Sequence, residues 1–394
     1  EKKGTKAEAI EFLILAGRKE EAFVLAQSHN EMDTYASHVT DLSSEESLRI
    51  AQYFEGKSQF GQSAVYYEKS GNVQKALKLF LQGGEEYLEK AIELVARVKQ
   101  DALTLKLKDY LMGEAEDPTP KDPIWIFRMY MALGQIRPAA TVAITIANQE
   151  QESGNYKAAH TILFQTTKDL RNQNVAVPYD LYQKLMILHS YLSVKRLVKM
   201  NDQEDAARLL DRVCKNISQF PAHDVTILTS AVVQATRANL KATAFNWAKV
   251  LMQNEYRNRI GANYKNKIET VARRPVTEEL EDKKTPCPFC AGLVEEFNLK
   301  CDNCNNTIPY CIVTGKHIVL DDCTFDPRSG FPACFSAYLR ALEVEPINPM
   351  TGEEMSASEL KQLYPDEVLE KIKKKNLEEK KEGEAGAEES KSNV

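Results

Sequence analysis

"YFEGKSQFGQSAVYYEKSGNVQKAL", residues 53–77, is the stretch that decides the fold. Aromatic and small residues alternate at helical spacing through Tyr53, Phe60, Ala64 and Tyr67, and the pattern breaks at Gly56 and Gly71. Gly71 is followed five residues later by Ala76. A glycine can adopt the left-handed conformation that ends a helix. An alanine one turn into the next helix lets the two helices of a hairpin approach closely.

The same offset recurs in both directions from this stretch. Gly17 precedes Ala22, Gly134 precedes Ala139 and Gly154 precedes Ala159, while Asn201 and Asn239 precede Ala206 and Ala244. Gly56 supplies a less regular seventh turn. Between these turns, apolar residues fall three and four apart, as in "AEAIEFLILAG" and "LMILHSYLSVKRLV", and Pro123, Pro138, Pro178, Pro221 and Pro275 sit where helices start or stop. No alternating strand pattern interrupts them. The texture is that of tetratricopeptide repeats, but the intervals vary, so residues 1–274 are expected to form an irregular tetratricopeptide-like α-solenoid, and the chain as a whole to be mainly α.

Chemistry is sparse in this array. His29, His38, His160, His189 and His223 are scattered without partners at ligand spacing and read as packed or surface residues. Trp125, Trp247 and Cys214 read as core. There is no phosphate-binding glycine loop, nucleophile elbow or metalloprotease motif, so no enzyme is expected. The chain of 394 residues is 43% apolar and 27% charged, with net charge −6 and dispersed basic residues. That balance argues against a nucleic-acid face. No apolar run approaches the ~18 residues of a membrane span. The opening Glu1-Lys-Lys-Gly4, with no initiator methionine and no polar cap before Ile10, reads as a piece of something longer.

Cysteines are distributed very unevenly. Cys214 stands alone before residue 287, and the other seven fall between Cys287 and Cys334. Clustering of this kind fits a reducing compartment and a metal site rather than a disulfide scaffold. In "TPCPFCAGLVEEFNLKCDNCNNTIPYC", residues 285–311, the pairs Cys287/Cys290 and Cys301/Cys304 give the spacing of a zinc ribbon or treble clef. Four thiolates around one Zn²⁺ leave no open coordination position, so the ion would be structural. The ten intervening residues are expected to form a short hairpin between the two pairs. A tentative second ion would draw on Cys311, His317, Cys323 and Cys334, with Asp326 as a possible oxygen ligand. The acidic "VTEELEDKKTP" makes residues 275–285 a linker and 286–314 the zinc-binding ribbon. Residues 315–365 are expected to form a degenerate second knuckle segment, and 366–394 a charged tail that is either a frayed helix end or disordered.

"TPCPFC", "NNTIPYCIVTGKHIVLDD" and "GFPACFS", behind "AIEFLILAGRKEEAFVLAQSHN", "FRMYMALGQIRPAA" and "LMILHSYL", resemble the C-terminal half of the WD-repeat protein 19 type subunit of intraflagellar transport complex A. The resemblance covers nearly all of the chain to about residue 365. It implies a non-enzymatic scaffold in retrograde ciliary transport that also brings membrane-receptor cargo or adaptors into cilia. It implies other subunits of that complex as partners, and a place in the cytoplasm, cilium and basal body. Vesicle-coat scaffolds share the architecture the resemblance implies, and a RING or U-box ubiquitin ligase is the competing reading of the cysteine cluster. The family places further Cys-x-x-Cys pairs where this chain has Asp326-Pro-Arg-Ser329 and Asn348-Pro-Met-Thr351. At those two positions side-chain hydrogen bonds are expected to close the turns in place of metal.

Overall fold

Six of the seven expected hairpin turns form as read. Gly17, Gly71, Gly134, Gly154, Asn201 and Asn239 all take positive φ, and Ala22, Ala76, Ala139, Ala159, Ala206 and Ala244 are buried. The seventh is shifted. Gly56 closes its helix in ordinary geometry and Ser58 takes the left-handed position, with φ 59°. The small residue five places on is then Ser63, fully buried, whose hydroxyl donates to the Ala51 carbonyl at 2.8 Å.

The computed structural model describes residues 6–39, 42–114, 119–276 and 282–373. It divides into two compact units, Glu1–Ala139 and Ala140–Val394. The first contains α1 (Lys6–Leu15), α2 (Lys19–His29), α3 (Met32–His38), α4 (Ser44–Gly56), α5 (Phe60–Lys69), α6 (Val73–Gln82), α7 (Leu88–Val98), α8 (Asp101–Met112) and α9 (Pro123–Ala132). Helix α10 (Ile136–Glu152) spans the division. The second unit continues with α11 (Tyr156–Asn172), α12 (Tyr179–Lys199), α13 (Gln203–Cys214), α14 (Asp224–Arg237), α15 (Lys241–Leu251), α16 (Asn254–Arg257) and α17 (Ala262–Ala272). Beyond these lie two small antiparallel pairs, β1 (Lys284–Pro286) with β2 (Leu293–Glu295) and β3 (Thr324–Phe325) with β4 (Pro332–Ala333), then α18 (Phe335–Val344). The fold is mainly α, an array of consecutive helical hairpins with a small β-containing module.

Local sequence explains the helix ends. Ser43 and Glu46 form a capping box at the start of α4. Asp122 accepts from the Ile124 amide at 2.9 Å, with Pro123 as the first helical residue of α9. Close approach does the packing. In the first unit the Tyr87 ring occupies the place where a Cβ on Gly61 would stand, so α5 tolerates nothing larger there.

Trp125 and Trp247 are half-buried rather than core, the latter donating its indole N–H to Asp211 at 2.9 Å. Cys214 is buried as read. Residues 277–281 of the expected linker and 374–394 of the expected tail lie outside the described residues. The first part of that tail takes the helical alternative: residues 365–373 are helical and bury Val368 and Ile372 completely. Two apolar side chains one turn apart give this charged segment a face to bury.

Candidate metal centre

Five turns in the C-terminal module share one backbone design. They begin at Cys287, Cys301, Cys311, Asp326 and Asn348. In each, the amide of the first residue donates to the carbonyl of the sixth, at 2.7–3.1 Å, and the amide of the fifth donates back to the carbonyl of the first, at 2.8–3.0 Å. The fifth residue always has positive φ: Ala291, Asn305, Gly315, Gly330 and Gly352. Each turn also caps an antiparallel pairing of the residues that flank it, Pro286 with Leu293, Lys300 with Thr307, Tyr310 with His317, Phe325 with Pro332, and Ile347 with Glu354.

The first two turns carry thiols at their first and fourth positions. The Sγ atoms of Cys287, Cys290, Cys301 and Cys304 all lie within 4.8 Å of one another. Cys287 and Cys304 are 3.8 Å apart and Cys290 and Cys301 3.6 Å. Four sulfurs each ~2.3 Å from a tetrahedral ion stand about 3.8 Å apart, so the spacing fits a tetrathiolate centre. A disulfide would need about 2.05 Å, and none forms. The four cysteines therefore could hold one metal ion. Burial pushes the Cys287 thiol up to about 12, while the Gly292 amide, helped by the Asn303 side-chain amide, draws Cys290 down to about 7. Thiols this close ionise together only with a cation among them.

The hairpin expected between the two cysteine pairs is placed differently. Strand β2 pairs backwards with β1 around the first turn, because the Cys287–Cys290 turn itself reverses the chain.

The tentative second ligand set is gathered only in part: the Cys311 and Cys334 thiols stand side by side, while His317 faces elsewhere. Among the described residues, Cys311, His317, Cys323 and Cys334 form no cluster of three ligand atoms. The His317 ring points at the first hairpin, with Nε2 2.6 Å from Thr285 Oγ1 and Nδ1 3.1 and 3.2 Å from the carbonyls of Glu295 and Asn298. The Cys323 thiol donates to its neighbour's carbonyl, that of Thr324. Cys311 Sγ accepts from the amides of Val313 and Thr314 at 3.4 Å and of Cys334 at 3.2 Å. This makes Cys311-Ile-Val-Thr314 a third turn of the same design, with threonine where a second thiol would stand. The sequence reading missed it. The available signal was Gly315, in register with Gly330 and Gly352.

Asp326, considered as an oxygen ligand, closes its own turn instead. Its carboxylate accepts from the Ser329 amide at 2.9 Å, the Ser329 hydroxyl, the Tyr338 hydroxyl at 3.1 Å and the Asn348 side-chain amide at 2.7 Å. Asn348 Oδ1 in turn accepts from the amides of Met350 and Thr351, at 2.8 and 3.0 Å. Asp326 and Asn348 are both buried. A buried polar side chain is tolerated when its hydrogen-bonding capacity is met, and here four donors meet it.

The module packs onto α11, α12 and α13 of its own chain. Phe297 rests against Leu197, Ala206 and Leu209, and Leu209 fills the space a Cβ on Gly315 would need. Arg212 donates to the carbonyls of Phe297 and Gly315 at 3.1 and 2.8 Å, and burial draws its guanidinium down to about 10. Lys316 bridges the buried Asp205, at 2.9 Å, and Glu296, at 3.0 Å. Two histidines read as partnerless form a relay. His189 Nε2 is 2.7 Å from the Ile312 carbonyl and His189 Nδ1 is 3.1 Å from His160 Nε2. A carbonyl only accepts, so His189 carries its proton on Nε2 and receives one from His160 Nε2–H. Both rings are buried and neutral: burial lowers His160 to about 3 and His189 to about 4.

Fold and site together define a class, a helical-hairpin array bearing a four-thiol metal centre in a module docked on the array. No protein-family model matches the chain. It is 46% identical to mouse WD repeat-containing protein 19 and 45% identical to the human protein of that name, over 91% of this chain and 27% of each relative. It is 36% identical to WD repeat-containing protein dyf-2 of Caenorhabditis elegans, over 86% of this chain and 24% of that protein. Over the stretch they share, the chain matches these WD repeat-containing proteins, and it spans about a quarter of their length. No helix among the described residues is long and apolar enough to cross a membrane.

Proposed function

We propose that this chain serves as a non-enzymatic scaffold segment of intraflagellar transport complex A. In this reading the hairpin array offers long lateral surfaces to other subunits of the complex and to membrane-receptor cargo or its adaptors. It works in the cytoplasm, the cilium and its base, in retrograde transport and in bringing membrane cargo into cilia. The single observation that carries the reading is the 46% identity extending over 91% of the chain, which spans both the array and the module.

The centre at Cys287, Cys290, Cys301 and Cys304 holds one Zn²⁺ in this reading. The donor set is all sulfur, the mutual spacing of the four thiols suits tetrahedral coordination, and four thiolates on one ion would leave no position open for substrate. The ion fixes two turns whose own apolar content is small, which in turn fixes the surface that meets α13.

Two measurements test the proposal. Affinity purification of the tagged chain from ciliated cells is expected to bring down intraflagellar transport complex A subunits, and their absence would sink the ciliary assignment. Native mass spectrometry of the purified chain is expected to find one zinc ion. A second ion would mean that Cys311, Cys323 and Cys334 coordinate after all, and a folded, metal-free chain would remove the zinc.

A further inference from the structure

A cleft of about 590 Å³ opens where the loop between α11 and α12 faces the fourth turn and the segment leading to residue 373. That volume is within the range of ligand-binding clefts, ~300–1,000 Å³. Its apolar lining comes from Val175, Val177, Phe325 and Leu363. Its cations are Lys361, Lys371, whose ammonium is 5.0 Å from the Phe325 ring centre, and Arg171, whose guanidinium lies 4.0 Å from the Phe331 ring centre. Neither lysine has a carboxylate partner among the described residues. The two carboxylates in the lining are already occupied. Asp326 is held by its four donors, and Glu359 pairs with Arg328 at 3.1 Å and accepts the Ser356 amide at 2.9 Å. The cleft is thus apolar in its lining and net positive at its edge.

One wall offers backbone as well. Val177 precedes Pro178, which disfavours helix there and favours an extended backbone. The amides of Ala176 and Val177 make no hydrogen bond to any described residue. An extended segment with free amides can pair with an incoming strand, with pockets for alternate side chains supplying selectivity.

We propose that this cleft binds an extended acidic peptide of a partner protein, one or two aliphatic side chains entering between Val177 and Phe325 and flanking carboxylates meeting Lys361 and Lys371. Charge complementarity selects this occupant: a basic segment would meet two uncompensated lysines, and a purely apolar one would leave them unpaired. The proposal goes beyond the scaffold reading by naming a site and its ligand chemistry. It is tested on the purified chain, so its outcome does not depend on which complex the chain serves.

The probe is a fluorescein-labelled nine-residue peptide of alternating glutamate and leucine or valine, followed by anisotropy. A matched peptide with lysine in place of glutamate is the control. The acidic peptide is expected to bind, and Lys361→Glu with Lys371→Glu to weaken it by about tenfold or more, because charge reversal turns attraction into repulsion. Val177→Asp, which places a charge in the apolar lining, is expected to weaken it comparably. These residues are at the surface or partly exposed, and unchanged thermal melting of each variant shows that the fold is intact. No binding up to about 1 mM peptide, an affinity weaker than ~4 kcal/mol, would overturn the proposal. So would equal binding of the basic peptide, or indifference to the lysine reversals. A chain ending at Lys373 is expected to bind as the full chain does; distinctly tighter binding would mean that residues 374–394 occupy the cleft, against assignment to a partner.

Discussion

The turns at Cys287 and Cys301 and those at Asp326 and Asn348 are the same backbone closed by different chemistry. In the first pair, four sulfurs converge within 4.8 Å of one another. In the second, a buried carboxylate collects donors from its own turn, from the partner turn and from Tyr338. The left-handed fifth position differs with the chemistry. It is alanine or asparagine in the thiol turns and glycine in those at Cys311, Asp326 and Asn348. A residue with a Cβ costs roughly 1–2 kcal/mol there. A bound metal supplies far more free energy than that, on the order of 10 kcal/mol, whereas net hydrogen bonds contribute about 1 kcal/mol each. Strain persists where a cation can hold the turn and is absent where only hydrogen bonds do.

The largest effect is expected from removing the ion proposed for the four thiols. Chelation, or Cys301→Ser, should abolish amide protection in the turns at Cys287 and Cys301, with loss on the order of 10 kcal/mol of binding free energy. Hydrogen exchange should still find protection at Asp326, Gly330, Asn348 and Gly352. If all four turns opened together, they would not be closed independently.

Next comes Asp326→Ala. It leaves the Tyr338 hydroxyl and the Asn348 amide buried with only the Met355 thioether, a weak acceptor, at 3.3 and 3.5 Å, and it should destabilise the second unit by roughly 1–3 kcal/mol in denaturant unfolding. Zinc content should not change. Loss of zinc in this variant would tie the two pairs into one structure.

The turn at Cys311 sharpens the contrast, since it stands outside the four-thiol cluster and docks through His189. A histidine whose folded pKa is depressed contributes stability that is full above its unfolded value of ~6.5 and is lost as pH falls toward the folded value. With His189 near 4 in the fold, the second unit should lose roughly 2 kcal/mol between pH 8 and pH 5 through this residue. His189→Gln should flatten that part of the pH–stability profile in thermal melts. An unchanged slope would mean that the ring titrates normally and the relay is broken.

The smallest effects concern the fifth position. Ala291→Gly should stabilise its turn, and Gly330→Ala destabilise its counterpart, each by about 1 kcal/mol. No described atom lies within 4 Å of the Cβ position on Gly330, so the change isolates backbone strain from packing. Equal and opposite shifts in denaturation midpoint would measure the same cost in both settings.

Much of this was legible because it is local. A left-handed residue followed five places later by a small one encodes a helical hairpin within a few turns of chain. A Cys-x-x-Cys pair likewise encodes a metal-ready turn within four residues. The exceptions were also local but disguised. Gly56 drew attention from Ser58, whose polar side chain tolerates the same conformation, and Thr314 hid a third turn by removing its second thiol. His160 and His189 were unreadable as partners because they are brought together only by the packing of α11 on α12.

What the sequence determined alone was therefore the repeating hairpins, the four clustered thiols and the loss of thiols in the later turns, since each depends on residues a few positions apart. The tertiary structure alone decided where the module sits, through Arg212, Leu209, Lys316 and the histidine relay, and which later residues close which turn. The physical reason is range. Backbone conformation and ligand spacing are set by near neighbours, whereas burial, and the choice of donor for a buried carboxylate or carbonyl, depends on residues far away in the chain, 123 positions apart for His189 and the Ile312 carbonyl.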